Sequence, residues 1–421
     1  MGILELSVIL IVAAAAFGVV NYHIFKLPPA IGVLVGALIS SMSIFAIDFA
    51  LPALGLRDIM AELVSSVHFD DALLEGMLTP LLFAGAMHVC LDHLKKDAAM
   101  ILLVASLGVC ISTGVIGWGL SLALGMPLLV ALVFGAIISP TDPVAVMGVL
   151  KQAKLSKSLE TRVAGESLFN DGVAYVVYLV LVAMAWPSGH GHAAGLEDGA
   201  VLFIQEALGG AALGAGLGFF AYQIIKKIDD FALEVLITLA LAFGGYMLSH
   251  TLHVSAPIAA VISGLFIGNV GMRNGMSDLT RQHVDSFWKL IDEILNAVLF
   301  VMIGFEIFVI TITQDFLIAG ALAIGLGLLA RGLAVVVPMF IAQLGRVSMP
   351  VAGVMTWGGL KGGISIALAL ALPDSEWKPL ILTGTYIVVV FSIMVQGLSI
   401  GAIAKWLMAP RGPQPESAPA E

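Results

Sequence analysis

Charge is what this chain has least of. Asp, Glu, Lys and Arg make up 11% of its 421 residues, against about 25% in a soluble domain. Sixty per cent of the residues are apolar and the mean hydropathy is +1.05. That composition excludes a water-soluble enzyme and leaves a polytopic, all-α membrane protein. Cysteine is nearly missing too: Cys90 and Cys110 form no metal or redox spacing and say nothing about compartment. The first apolar run, Ile3 to Tyr22, has neither a basic n-region nor a clear small-residue cleavage site, so it reads as a span. Beyond Trp406 only a short tail rich in Pro, Ser and Ala is expected. No cofactor and no nucleic-acid partner are expected, and lipid is the surrounding medium.

What the chain does have is long apolar runs. A span needs roughly 20 mainly apolar residues. On that basis helices are expected near 3–22, 28–54, 72–91, 98–123, 127–149, 163–186, 199–225, 232–250, 255–272, 289–313, 316–343, 350–372 and 379–407. The segment from Leu56 to Asp71 reads as interfacial. Loops after odd-numbered spans, with the tail, hold fifteen of the nineteen Lys and Arg. The opposite loops hold Arg57 and Lys378, and Arg331 and Lys361 fall within spans. Positive charge marks the cytoplasmic side, which predicts an outside N-terminus and a cytoplasmic C-terminus in a cell (inner) membrane.

Against this background a few polar residues stand out. Glu166-Ser167-Leu168-Phe169-Asn170-Asp171-Gly172 opens an apolar run that continues to Trp186, placing two carboxylates at or near membrane depth. An ionised carboxylate there costs at least ~2.5 kcal/mol on insertion scales and is retained for function. Ser139-Pro140-Thr141-Asp142-Pro143 repeats the violation one span earlier. Each proline lacks an N–H, so the carbonyls of Ala136 and Ser139 lose their helical donors. Such backbone is tolerated at membrane depth only where protein or a cavity surrounds it. The freed carbonyls, the Thr141 hydroxyl and the Asp142 carboxylate are oxygen ligands suited to a hard cation.

Ser167 and Asp171 share one helix face, and Glu166 and Asn170 share the adjacent one. Asp171 is expected to meet the ion and Glu166 a neighbouring helix. Arg331 lies in the middle of an apolar stretch, remains charged and needs a buried acid, for which Glu166 is the best candidate. Gly358-Gly359-Leu360-Lys361-Gly362-Gly363 breaks the twelfth span and puts an ammonium at the break. Spans five and twelve are seven apart, as two repeats of opposite topology require, and discontinuous helices in matching positions point to a transporter site. Weaker signals are Asp292, Glu293 and Asn296, with Asn296 expected to cap or line a crevice. Glu306 is expected near the outer end.

Together, the motifs Ser139-Pro140-Thr141-Asp142-Pro143, Glu166 to Gly172 and Gly359-Leu360-Lys361-Gly362 resemble the cation:proton antiporter family 1, the sodium/proton exchangers of bacterial type. The resemblance covers nearly the whole chain. It implies inverted repeats with two crossed broken helices, elevator-like alternating access and a homodimer. It further implies an exchanger domain over 1–409, with transport helices about 72–186 and 289–407, dimerisation helices 1–54 and 199–272, and a short tail at 410–421. Asp171 would bind cation or proton, with Asp142, Thr141, Ser167 and Asn170 completing the site, so that transported Na⁺ would sit at Asp171 and Asp142. Glu166 and Arg331 would form a structural ion pair. Two departures exist: Ala84 stands where many relatives have an acid, and Lys361 where arginine is usual. The expected activity is secondary antiport of Na⁺ or Li⁺ for H⁺, electroneutral and serving pH homeostasis. K⁺/H⁺ exchange, a cation channel and a membrane-embedded ion sensor are the competing readings.

Overall fold

In a computed structural model of the chain, the structure describes residues 3–65, 72–143, 146–147, 157–187, 196–310, 313–342, 344–345 and 347–409. The described residues are helical, with no strand among them. Their order is α1 (Ile3–Val20), α2 (Pro29–Ala50), α3 (Leu56–Ser65), α4 (Leu78–Met87), α5 (Leu91–Leu124), α6 (Leu128–Ile137), α7 (Lys157–Ala185) and α8 (Leu196–Ile225). Then follow α9 (Phe231–Leu252), α10 (Ala256–Phe266), α11 (Asp278–Phe305), α12 (Gln314–Ala342), α13 (Met349–Trp357), α14 (Gly363–Leu370), α15 (Lys378–Phe391) and α16 (Leu398–Met408). A π-helical turn over Ser392–Gly397 joins the last two, and another over Ala72–Met77 leads into α4. Among the described residues, nine helical segments are long and apolar enough to cross a membrane.

All thirteen expected spans have a helical counterpart, and the ends differ where local chemistry decides. α11 starts at Asp278, not near 289, because the Ser277 side chain accepts from Thr280 N–H and caps it. Its first half is amphipathic, with Val284 and Trp288 buried and Lys289 exposed, so hydropathy alone misses it. α3 covers part of the expected interfacial segment; residues 66–71 lie outside the described residues, as do His190, His192 and the tail from 410.

Two sets of helices emerge from the packing. α5 lies along α12 and also packs on α6 and α7; α12 packs on α15, and α14 on α15. This bundle encloses both broken segments. Outside it, α10 packs on α8 and α4, and α11 on α2, α4, α9 and α1. α4 and α11, expected among the transport helices, thus pack mainly with helices outside the bundle. The α8–α10 contact is close because glycine permits it: a Cβ on Gly210 would lie 2.6 Å from the Ser255 carbonyl oxygen. Cys90 and Cys110 are exposed free thiols.

Candidate functional site

Two interrupted segments meet in the middle of the bundle. The first runs as α6 to Ile137, passes through non-helical backbone at Pro140–Pro143 and is helical again at Val146. The second leaves α13 at Trp357 and resumes as α14 at Gly363. Each stands in for the other's missing helical bonds. Asp142 N–H donates to the Leu360 carbonyl at 2.7 Å. Lys361 Nζ donates to the carbonyls of Ser139 at 3.0 Å and Pro140 at 3.2 Å. An ammonium at the C-terminal end of α6 also matches the negative end of that helix dipole.

This geometry corrects one expectation. The carbonyls that the prolines deprive of donors are not left for a cation. The Ala136 oxygen receives Ser139 N–H at 3.3 Å and Ser139 Oγ at 3.1 Å, and the Ser139 oxygen receives Lys361. A buried carbonyl is costly without a donor, and the facing lysine is a stronger donor than water. Lys361 is therefore built into the crossing. The second break is held from behind: Ser392 Oγ accepts from Lys361 N–H at 2.9 Å and donates to Gln396 Oε1 at 2.7 Å, and Gln396 Nε2 donates to the Trp357 carbonyl at 3.1 Å. Sequence reasoning missed Ser392 and Gln396, although polar residues four apart in an apolar helix were a visible signal.

On α7, beside the crossing, the two carboxylates have opposite fates. Glu166 is 1% exposed and accepts from both terminal nitrogens of Arg331, each at 2.7 Å. Arg331 also donates to the Met355 carbonyl at 3.0 Å. Asn170 Nδ2 adds a third donor to Glu166 at 2.6 Å and reaches Thr141 Oγ1 at 2.7 Å, while its Oδ1 accepts from Thr141 N–H at 3.3 Å. Thus Asn170 is engaged by protein at both ends of its amide. Asp171 is 7% exposed, and its Oδ1 is buried with no hydrogen-bond partner among the described residues. Thr141 Oγ1 and Ser167 Oγ are 3.0 Å apart and both buried.

Asp142 is half-buried against Gly362, where an added Cβ would come within 2.5 Å of Asp142 Oδ2. Gly362 is also the N-cap position of α14, so the positive end of that helix faces the carboxylate. The structure brings Asp142, Asp171, Thr141, Ser167 and Asn170 together around the crossing, with Glu166 and Arg331 as a layer beside them. Ala84, 0% exposed on α4, offers no side-chain ligand. Asn296 donates to the Asp292 carbonyl and Oδ1 on its own helix at 2.8 and 3.1 Å. Glu306 is buried in the turn that ends α11.

Two discontinuous helices crossing at mid-bundle beside buried carboxylates define the class of secondary transporters with midplane ion sites. The profile of the transmembrane sodium/hydrogen exchanger family matches residues 7–406, and the chain belongs to that family. It is 42% identical over 402 residues to the Na(+)/H(+) antiporter NhaP of Pseudomonas aeruginosa, covering 93% of each chain. To the Na(+)/H(+) antiporter NhaH of Halobacillus dabanensis it is 34% identical over 361 residues, covering 84% of this chain and 87% of the other. Among solved structures, the sodium proton antiporter MjNhaP1 from Methanocaldococcus jannaschii at pH 8 superimposes with a TM-score of 0.69. That match has 20% identity and covers 90% of this chain and 99% of the other; it shows the fold.

Proposed function

We propose that this multi-pass membrane protein exchanges Na⁺, or Li⁺, for H⁺ by alternating access, with Asp171 as the carboxylate that holds either ion. One observation carries the assignment: Asp171 Oδ1 is buried at the crossing with no partner among the described residues, whereas Glu166, five residues away, has three donors. A buried carboxylate oxygen without a donor is costly unless a proton or a cation neutralises it. Holding one excludes the other, so competition for a single group couples the two fluxes without a second mechanism.

Asp142, Thr141 Oγ1 and Ser167 Oγ supply the further oxygens that a hard monovalent cation takes. Asn170 is assigned to positioning Thr141 against α7, and Glu166 with Arg331 to holding α7, α12 and α13 together. Transport is assigned to the bundle of α5–α7 and α12–α16, and α1, α2 and α8–α10 to dimerisation. Exposed apolar side chains on α8 and α9, among them Leu208, Phe220 and Phe243, suit lipid or a second copy. The distribution of Lys and Arg favours a cytoplasmic C-terminus in the cell membrane.

Everted vesicles carrying a dye that reports the pH gradient test the reading. Dequenching on adding Na⁺ or Li⁺ is expected. Dequenching by K⁺ alone would move the assignment to potassium/proton exchange, and cation flux in the absence of any counter-ion would replace it with a channel.

A further inference from the structure

Two glycines beside the site accept side chains from helices outside the bundle. Gly172 directly follows Asp171, and a Cβ built on it would lie 2.7 Å from Ile258 Cγ1 of α10. Gly363 directly follows Gly362, the residue against which Asp142 packs. A Cβ there would overlap Leu299 Cδ1 of α11 and come within 2.9 Å of its Cδ2 and Cγ. Leu299 is 4% exposed. Both contacts therefore join the bundle to its surroundings, one residue from the two acids or their immediate support.

They also lie on one side of the acids. α7 and α11 run in the same sense across the membrane, so Gly172 lies beyond Asp171 and Leu299 in the last third of α11. Gly363 begins the half-helix that leads away from the crossing on that side. On α11, Asn296 and Asp292 precede Leu299 by three and seven residues, which places all three on one face. That face carries Asp292 and Asn296, about one turn apart, beside Leu295, and is apolar from Leu299 onward. The lysine-rich loops fall at the polar end, which is the cytoplasmic one by charge.

We infer that Leu299 and Ile258 are the outward seal of the transport site, two aliphatic knobs seated in the Gly363 and Gly172 sockets. The Asp292–Asn296 ledge is the polar approach that reaches the site from the cytoplasm and ends at Leu299. An ion at Asp171 and Asp142 meets polar groups on one side and two close-packed side chains on the other. A Cβ at either socket would make the knob seated in it shift. The inference rests on the exchanger reading for the identity of the ion, and on the charge distribution for which side is outside.

The test uses full-length protein with Cys90→Ser and Cys110→Ser and a membrane-impermeant thiol reagent, with Asp292→Cys as reporter because Asp292 is half-buried whereas Asn296 is 5% exposed. The reporter is expected to react in everted vesicles and about tenfold more slowly from outside in intact cells. Combining Leu299→Ala with Ile258→Ala is expected to raise outside labelling about tenfold and to add a proton leak that needs no Na⁺. Leu299→Val, which removes a single methylene and preserves insertion, is expected to raise it about threefold. Outside labelling that is already fast in the parent, or that neither variant changes, would overturn the seal. The labelling arm needs no exchange activity. A parent that labels as expected yet exchanges no Na⁺ would refute the functional reading and leave the seal standing.

Discussion

Glu166 and Asp171 lie five residues apart on one helix, both buried, and their surroundings differ in kind. Glu166 has an arginine fork and an amide donor; Asp171 has a carboxylate oxygen to which none of the described residues donates. A buried charge with a complete set of partners is locked, and exchanging its ion would mean dismantling the bidentate pair. A buried carboxylate left incomplete is poised to take a small cation. The same residue chemistry thus gives a fastener in one layer and a binding site in the next, and the difference is made by neighbours on α12 and α13.

The comparison breaks most completely at Asp171. Asp171→Asn keeps size and shape but cannot alternate between proton and cation, and exchange should fall to background while the protein still inserts and purifies. Na⁺-driven proton flux at the parental rate in that variant would remove Asp171 from the centre of the mechanism. Glu166→Ala or Arg331→Ala should act on stability instead, since stripping one partner from a buried pair costs about 3–5 kcal/mol. A lower yield and melting temperature are expected for each. The swap Glu166→Arg with Arg331→Glu should recover part of the loss by restoring opposite charges, and only part, because the Met355 carbonyl would then face a carboxylate and the Asn170 amide donor a guanidinium. If both single variants melt with the parent, the layer is not a fastener.

Lys361 sharpens the comparison with a smaller effect. Its ammonium meets two carbonyls at the end of α6, so Lys361→Met should leave both unsatisfied, at about 1–3 kcal/mol. Lys361→Arg keeps the donors and should cost less. Thermal melting of the two variants in the same detergent separates these outcomes.

Much of this contrast was legible in the residues. Proline on both sides of an acid, glycine on both sides of a lysine and an arginine alone in an apolar stretch are each too costly in lipid to be accidental, so the breaks and the Glu166–Arg331 match could be read directly. Where Lys361 goes could not. Its partners are carbonyls 221 and 222 residues away, brought near only when the two segments cross, and no local pattern encodes that distance. The start of α11 escaped for a different reason: half of it is amphipathic, and a hydropathy window averages its charges against Trp288 and Val284. The grouping of α4 and α11 with helices outside the bundle was also hidden, because apolar helices look alike whichever neighbours they meet.

The smallest expected effect is no effect at all, and it concerns charge. The residue immediately before Asp171 is Asn170. In this chain the amide cannot ionise, and it is fixed between Thr141 and Glu166. Glu166 is committed to Arg331, which leaves Asp171 and Asp142 as the carboxylates at the site able to change charge. Two acids sharing a site titrate as a coupled pair, so the stoichiometry turns on whether Asp142 takes part. Its carboxylate lies against the N-terminus of α14 at Gly362, whose positive helix end faces it. With Asp142 fixed, one monovalent cation replaces one proton and no net charge crosses the membrane. Reconstituted protein should therefore exchange at the same rate whatever membrane potential is imposed. A Na⁺ gradient that generates a potential with no ionophore present would show that a second group, Asp142 first, gains and loses its proton during turnover.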